Sequence, residues 1–244
     1  MANRFKFFLS HLAISLLIAL LVIGLVFFVW YPSPLATAVG VTQVFLMMLA
    51  IDVIVGPFLG LLVYKQGKKS LKFDLSVVIG IQVAALCYGL FSIEQGRPVW
   101  IAYNVDSFEL VRKNEIINDH IDQALLQYQN VPWFKPQYVA VQFATDIKMR
   151  NDDLFTEVLG GISLAQKPER YVDFVQARSQ LQQRVRSLKE LNQYNNAKQV
   201  DRILSKYPQA TGFVPLKANA VDMTVLINKE KGEVVKIVDL RPWE

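Results

Sequence analysis

The hydrophobic positions of the first 93 residues are gathered in long runs that carry almost no charge. The first run, Phe7 to Trp30, has 24 residues without a charged side chain. As an α-helix it would be roughly 36 Å long, enough to cross the ~30 Å hydrocarbon core of a bilayer. Trp30 and Tyr31 stand where aromatic residues gather at a membrane surface, and Pro32 and Pro34 end the helix. The pattern predicts a first transmembrane helix.

Two further apolar runs follow the first. Val39 to Tyr64 has 26 residues and is interrupted by Asp52 and by a Gly-Pro pair, and Leu75 to Ile93 has 19 residues without a charge. A soluble protein would have to bury three such helices on all sides, which a chain of 244 residues is too short to do. We therefore expect residues 1–93 to form a membrane domain of three transmembrane helices.

Charge is distributed unevenly between the two parts of the chain. Residues 1–93 contain six basic and two acidic side chains, whereas residues 94–244 contain 20 basic and 19 acidic ones. The formal charge of +5 therefore divides into +4 and +1. The excess positive charge flanks the apolar runs and is not spread over a basic surface. This distribution argues against a nucleic-acid-binding protein.

The basic residues of the membrane domain predict its orientation. Arg4 and Lys6 precede the first run and four lysines occupy the connector 65–74, whereas the connector 31–38 has no charge. Lys and Arg are retained on the cytoplasmic side of a membrane, so we expect the N-terminus and residues 65–74 inside the cell. Residues 94–244 would then lie outside, in the periplasm of a Gram-negative bacterium.

An alternative for the first run is a cleaved secretory signal, because Ala36-Thr37-Ala38 resembles a cleavage site. The apolar region of such a signal usually has about 7–15 residues, and the run here has 24. Two prolines also separate the run from Ala36. The interpretation as a transmembrane helix is therefore preferred.

Residues 94–244 are numerous enough for one external α/β (α+β) domain. Alternating apolar and polar positions over 99–105 predict a first strand, and residues 229–232 form the turn of a terminal hairpin. Apolar residues at helical spacing predict a long helix over 168–192, which either packs on its own sheet or presents a partner-binding surface. The other predicted strands are 108–111, 138–143, 213–216, 221–227 and 234–239. The other predicted helices are 115–129 and 197–207, and the pattern over 146–159 is ambiguous, with a short helix before Gly160-Gly161 as one interpretation.

Motifs for catalysis or cofactor binding are incomplete. The Gly-Lys-Lys-Ser string at 67–70 resembles the end of a phosphate-binding loop but lacks the glycine four residues earlier. Residues 161–165 approach the Gly-x-Ser-x-Gly elbow of a hydrolase but end in alanine. The single cysteine, Cys87, excludes an intramolecular disulfide, and the presence of two histidines, His11 and His120, argues against zinc or haem. We therefore expect no enzyme activity, no metal and no cofactor.

Asp52 is the most informative polar residue of the membrane domain. It lies near the middle of the second run, where a carboxylate costs about 2.5–3.5 kcal/mol on insertion scales and should face protein. Gln82, near the middle of the third run, is a candidate hydrogen-bond partner. Pro57 frees the carbonyl of Val53, and Gly56 allows another backbone to approach closely. The pattern predicts a polar, kinked site at the bilayer midplane, which either recognises another membrane helix or an ion, or holds the three helices together.

Several short strings of residues resemble a known family. They are Tyr31-Pro-Ser-Pro-Leu35, Ile51-Asp-Val-Ile-Val-Gly-Pro-Phe-Leu59, Lys68-Lys-Ser-Leu-Lys-Phe-Asp-Leu75, Gln82, Ala84-Ala-Leu86, Tyr88-Gly89, Arg97-Pro98 and Val214-Pro-Leu216. Together with the closing hairpin, they resemble the type IV pilin accessory proteins of the TfpX/TfpZ family. The likeness covers essentially the whole chain and is most specific in residues 31–98.

This resemblance implies a protein of the bacterial inner membrane that helps its cognate type IV pilin accumulate or assemble, in an accessory or chaperone-like role. It implies the pilin, the lipid bilayer and other pilus assembly proteins as partners, and it brings no catalytic residues. The motif positions that it singles out as candidate pilin contacts are Asp52, Gly56, Pro57, Lys68, Lys69, Asp74, Gln82, Arg97 and Pro98.

A pilin awaiting assembly has one apolar helix, with a carboxylate and an N-terminal amine in or near the apolar stretch, and a head outside the membrane. The Asp52 site, or Lys68 and Lys69 at the cytoplasmic edge, are candidates for pairing with those charges.

Two other classes stay open. A membrane enzyme acting on pilin or on a lipid-linked glycan needs a cluster of acidic, His or Ser groups at the outer interface, which the sequence does not show. A sensor needs a cytoplasmic output segment, which residues 1–6 and 65–74 are too short to supply.

Overall fold

The computed structural model describes residues 2–243 of the chain. Three long helices come first: α1 (Ala2–Gly24), α3 (Val41–Val63) and α4 (Leu71–Gln95), with the short α2 (Leu35–Val39) between the first two. A π-helical turn, Leu25–Trp30, extends α1. Each of the three long helical segments is long and apolar enough to cross a membrane, which confirms the prediction of three transmembrane helices.

The bounds of the long helices differ from those predicted. α4 begins at Leu71 and not at residue 75, so it includes Lys72 and Asp74. The reason is that the end of an apolar run reports where the hydrocarbon ends, whereas an α-helix continues into polar surroundings as long as its backbone bonds are made. α3 is helical throughout, with Pro57 inside it.

The two connectors of the membrane domain lie at opposite ends of the helices. At one end, the carbonyl of Ala38 in α2 accepts hydrogen bonds from the amides of Ala220 (3.0 Å) and Val221 (3.1 Å) in the outer domain. At the other end, Nε of Arg4 donates to the carbonyl of Leu61 at 2.6 Å, close to where α3 enters the basic connector. The connector 31–40 therefore lies at the same end of the helices as the outer domain.

The outer domain is built on one seven-stranded mixed sheet with the strand order β4-β3-β1-β2-β5-β6-β7. β1 pairs with β3 in parallel and with β2 in antiparallel orientation, and β2 pairs with β5 in parallel. The outer pairs β3–β4, β5–β6 and β6–β7 are antiparallel. The strands are β1 (Pro98–Asn104), β2 (Ser107–Arg112), β3 (Gln137–Val141), β4 (Tyr171–Asp173), β5 (Gly212–Lys217), β6 (Met223–Asn228) and β7 (Glu233–Val238).

Both faces of this sheet are covered by apolar residues. Ile101 and Tyr103 of β1 point into a core that also contains Leu181 of α6 (Arg178–Arg184) and Leu35 of α2. Alternate residues of a strand point to opposite faces. Trp100 and its neighbours therefore pack on the other face, under short turns from 113–131 and 164–170. The same connector that joins α1 to α3 thus contributes to the core of the outer domain. The remaining helices are α5 (Ile147–Gly160) and α7 (Ala197–Leu204).

Two of the predicted helices of the outer domain are wrong. Residues 115–129 form short 3₁₀ turns at 113–115, 121–123 and 126–128. Asn and Asp, which are frequent there, compete for the backbone hydrogen bonds of a helix, and the amide of Ile117 bonds instead to the carbonyl of Gln166.

The predicted helix 168–192 is divided into five elements, the first of them a 3₁₀ turn at 168–170. The aromatic and β-branched residues that follow this turn form the edge strand β4, which pairs with β3. The side chain of Asp173 then accepts from the amide of Val175 and opens a new turn. After α6 the chain is extended, because Arg186 exchanges two backbone hydrogen bonds with Phe213. A 3₁₀ turn at 188–193 completes the segment. Only α6 is helical, and its Leu181 is fully buried against the sheet.

Candidate functional site

A cavity of about 210 Å³ lies between the three membrane helices. Its walls are mostly aliphatic, and four polar residues line it: His11 and Ser15 from α1, Asp52 from α3 and Gln82 from α4. Aliphatic wall residues such as Ile14 and Val83 are exposed on the outer surface of the helices, so the cavity opens sideways toward the surrounding lipid.

Gln82 connects all three helices. Its Oε1 accepts a hydrogen bond from Nε2 of His11 at 2.9 Å. Its Nε2 donates to Oγ of Ser15 at 3.1 Å and to the backbone carbonyl of Asp52 at 3.0 Å. In hydrocarbon no water is present to satisfy polar groups, so these bonds fix one arrangement of the helices.

The amide of Gln82 reaches α3 because residue 56 has no side chain. A β-carbon on Gly56 would lie 1.9 Å from Oε1 of Gln82 and 2.2 Å from its amide carbon. The sequence predicted close approach of another backbone at Gly56; the group that uses the space is a side chain. Pro57 follows as a buried residue within α3.

The carboxylate of Asp52 is left for another partner. Its residue is half-buried and faces the cavity, and its backbone carbonyl is the atom that Gln82 contacts. Within residues 2–243, no hydrogen bond or ion pair reaches the carboxylate oxygens. A charged group at this depth costs about 2.5–3.5 kcal/mol unless it finds a partner. The arrangement suits the binding of a donor or cation that enters the cavity from the membrane.

The sequence anticipated the meeting of Asp52, Gly56 and Gln82, but it did not assign a role to His11 or Ser15. The available signal was their spacing: residues four apart lie on the same face of a helix. Two polar residues at that spacing in an otherwise apolar run indicate one polar stripe, and this stripe faces Gln82. The predicted bond between Gln82 and Asp52 forms with the backbone of Asp52 and not with its carboxylate.

The remaining motif residues lie away from the cavity. At the end of the helices opposite the outer domain, Nζ of Lys68 is 2.6 Å from a carboxylate oxygen of Asp74, and Ser70 donates to the same oxygen. Lys69 is exposed beside this pair. Lys68 is therefore already paired within the chain, which leaves Lys69 as the freer of the two predicted lysine contacts.

Arg97 and Pro98 lie at the junction between α4 and the outer domain. Pro98 begins β1, and Arg97 is only 2% exposed. Nε of Arg97 donates to the carboxylate of Glu94 at 3.1 Å, and Nζ of Lys113 donates to the same carboxylate at 2.8 Å. This network joins the end of the last membrane helix to the first two strands of the sheet.

Tyr31 completes this junction from the first helix. Its hydroxyl donates to the carbonyl of Ile93 at 2.7 Å, and the side chain is buried. Burial raises the pKa of the Tyr31 hydroxyl, and the positive charges of Arg112 and Arg97 partly offset this effect. The phenol is therefore neutral and able to donate.

The outer domain also presents an apolar helix surface. Ile147, Phe155, Val158 and Leu159 of α5 are exposed. On the opposite side of α5, the buried carboxylate of Asp153 forms two ion pairs. One of its oxygens lies 2.7 Å from Nζ of Lys167, and the other lies 2.8 Å from Nε of Arg170. The sequence pattern of this segment is ambiguous because its apolar residues face outward and its inward contact is an ion pair.

Comparison with known proteins relates the chain to fimbrial proteins. The family model described as "Fimbrial assembly protein FimB" matches residues 1–40. The "Fimbrial assembly protein, serogroup E1" of Dichelobacter nodosus is 28% identical over 228 residues, which are 90% of this chain and 88% of that protein. The protein described for serogroup I of the same organism matches with the same identity and coverage.

A shorter relative is more similar still. The "Fimbrial assembly protein, serogroups C1 and C2" of Dichelobacter nodosus is 37% identical over 116 residues, which are 47% of this chain and 88% of that protein. No solved structure matches the chain significantly. The extent of these matches, on a chain with three membrane helices and one outer domain, leads to one conclusion: the chain belongs to the family of fimbrial assembly proteins.

Proposed function

We propose that this protein is a type IV pilin accessory protein of the TfpX/TfpZ kind, which binds its cognate pilin in the inner membrane and promotes its assembly. Membership of the fimbrial assembly family supports a role in pilus formation. The proposal adds the step at which the protein acts: it holds a single pilin before that pilin enters the fibre. We propose a non-catalytic role, since the polar groups of the cavity are arranged to position helices.

The observation that carries the proposal is the free carboxylate of Asp52. Asp52 lines a cavity that opens toward lipid, and within residues 2–243 no hydrogen bond or ion pair reaches its carboxylate oxygens. A membrane helix that carries a cationic or donor group could place that group beside it. Pairing in a medium of low dielectric constant is far stronger than at a protein surface. The N-terminal amine of a pilin is a group of this chemistry.

The geometry of the rest of the membrane domain supports the same use. Gln82 bonds to both His11 and Ser15, which joins α1 to α4 beside the cavity, and within the described residues Nδ1 of His11 is buried without a hydrogen-bond partner. Ile14, Ile18 and Val83 supply aliphatic walls, which suit an apolar helix. We place the N-terminus and the 65–74 connector in the cytoplasm and the outer domain in the periplasm, where the domain would lie beside the pilin head.

The test is Asp52→Asn in cells that carry the cognate pilin. The amide has the size of the carboxylate and keeps hydrogen-bonding capacity, so the protein should accumulate normally. We expect less pilin to co-purify from gently solubilised membranes and fewer surface pili. Asp52→Glu should retain most of both because it retains the charge.

The matched control is Asp74→Asn, which removes an acidic residue in the first turn of α4, away from the cavity. Its carboxylate is bound to Lys68 in the same chain, so pilin recovery should remain close to the wild-type level. Normal pilin recovery and piliation with Asp52→Asn at equal protein levels would reject the recognition role of Asp52. Loss of the protein with Asp52→Asn but not with Asp52→Glu would assign Asp52 to holding the helices together.

A further inference from the structure

Two large aromatic side chains of the outer domain are exposed on its surface. Trp133 is 82% exposed and Phe134 is 71% exposed. They lie between Pro132 and Pro136 in the loop that leads into β3. Aromatic rings of this size are normally buried or placed in an interface, so their exposure calls for a surface that covers them.

The register of the sheet places this loop beside the end of the last membrane helix. β3 pairs in parallel with β1, with Gln137 opposite Trp100. Counting back three residues on each strand brings Phe134 level with Arg97, which lies two residues after the end of α4. A hydrogen bond joins the same two residues: Nη1 of Arg97 donates to the carbonyl of Phe134 at 3.5 Å. The loop is thus tied to the point where the chain leaves the membrane.

The first membrane helix reaches the same level. Lys135, the residue after Phe134, lines a cavity together with Phe28 and Tyr31 from the end of that helix. Phe28 is itself exposed, as expected of a side chain that faces lipid. The loop therefore lies beside two helix ends, at the height where Trp and Tyr residues gather in membrane proteins.

We propose that residues 132–136 form a membrane anchor, in which Trp133 and Phe134 insert into the bilayer interface on the side of the outer domain. Lys135 contacts lipid phosphates from the same loop, since a lysine can extend its ammonium group to the headgroup layer. The anchor gives the outer domain a contact with lipid in addition to its covalent attachment to α4 and the non-covalent contacts of the connector 31–40. With the buried Arg97 network, it keeps the sheet from tilting freely over the membrane. It is independent of whether Asp52 binds pilin.

The test uses the fluorescence of the full chain in lipid nanodiscs made of phosphatidylethanolamine and phosphatidylglycerol. The emission of Trp133 is obtained as the difference between the wild type and Trp133→Phe, which replaces one exposed ring by another. In nanodiscs whose lipids carry brominated acyl chains, we expect this emission to be quenched several-fold. Iodide in the buffer should quench it only weakly.

A positional control comes from the opposite end of β1. Asp106 is exposed in the β1–β2 turn, far along the strand from Arg97. The tryptophan introduced by Asp106→Trp in the Trp133→Phe protein should be quenched by iodide and not by bromolipid. If the emission of Trp133 behaves in the same way as that of this reporter, the loop is in water and the anchor does not exist.

Discussion

The amide of Gln82 occupies the space that a side chain at position 56 would need, since a β-carbon there would lie 1.9 Å from Oε1 of Gln82. The amide is the end of a flexible side chain and could move aside. Doing so would break its bonds to His11, Ser15 and the backbone of Asp52. The glycine therefore matters because of the hydrogen bonds that depend on the space above it.

We expect Gly56→Ala to destabilise the membrane domain. Interhelical hydrogen bonds in membranes contribute about 0.6 kcal/mol each, so displacing Gln82 should cost about 1–2 kcal/mol. The measurement is the unfolding of the full chain in mixed micelles as the proportion of denaturing detergent rises. The matched control is Gly80→Ala in α4, where a β-carbon meets nothing within 4 Å. Gly80→Ala should be neutral or stabilising, because alanine favours the helix by roughly 0.5–1 kcal/mol over glycine. Equal effects of the two substitutions on stability would show that the side chain of Gln82 can move aside without destabilising the membrane domain.

Tyr31→Phe should loosen the junction between the membrane helices and the outer domain. It removes the hydroxyl that donates to the carbonyl of Ile93 and leaves that buried acceptor without its partner. Such a loss costs about 1–3 kcal/mol. Thermal unfolding in detergent measures it, with Tyr88→Phe as the control, because Tyr88 is 75% exposed on α4. A Tyr31 variant as stable as the Tyr88 variant would mean that the junction relies on Arg97 and Glu94 alone.

The sequence predicted the three membrane helices well because the signal is the length of the apolar runs. A chain of this size could not bury three such helices in a soluble core. The sequence also located Asp52 and Gln82, since a polar residue in such a run must find a partner. The partner atoms could not be predicted. Whether Gln82 contacts the carboxylate of Asp52 or its carbonyl depends on how the helices are rotated, and this is set by the glycine at 56 and the stripe of His11 and Ser15.

The outer domain was predicted less well where helix and coil compete. Residues 168–192 have apolar positions at spacings that fit a helix. Tyr171–Asp173 instead pairs with the edge of β3, and the backbone of Arg186 bonds to that of Phe213. Both contacts join segments far apart in the sequence. Local periodicity does not contain such tertiary pairing, which overrides helix propensity.

Acid should weaken the attachment of α5 through Asp153. Burial alone would raise the pKa of its carboxyl group, but the hydrogen bonds and charges of Arg170 and Lys167 outweigh burial and hold the pKa below the usual value of 3.8. A group whose pKa is lower in the folded state stabilises it fully above the unfolded pKa, and this contribution is lost as the pH falls toward the folded pKa. Asp153→Asn should therefore lower the Tm at neutral pH. Its Tm should also fall less than that of the wild type between about pH 5 and pH 3.

The neighbouring exposed residue gives the control for this change. Asp152→Asn alters the same formal charge one position earlier, on the solvent side of α5, and should leave the Tm near that of the wild type at neutral pH. If the two variants have the same Tm at every pH, the ion pairs of Asp153 do not contribute to stability.

Labelling of single cysteines should establish the orientation of the chain. Ser187 is exposed in the outer domain, and Gln66 is exposed in the basic connector at the other end of the helices. In a Cys87→Ser background, Ser187→Cys should react with a membrane-impermeant maleimide in intact spheroplasts, whereas Gln66→Cys should react only after lysis. The reason is the excess of Lys and Arg beside residue 66, which holds that connector in the cytoplasm. Because the connector 31–40 is bonded to the outer domain through Ala38, the two ends cannot change sides separately. If Gln66→Cys reacts in intact spheroplasts and Ser187→Cys reacts only after lysis, the orientation of the whole protein is the opposite one. The outer domain would then lie in the cytoplasm, away from the pilin head.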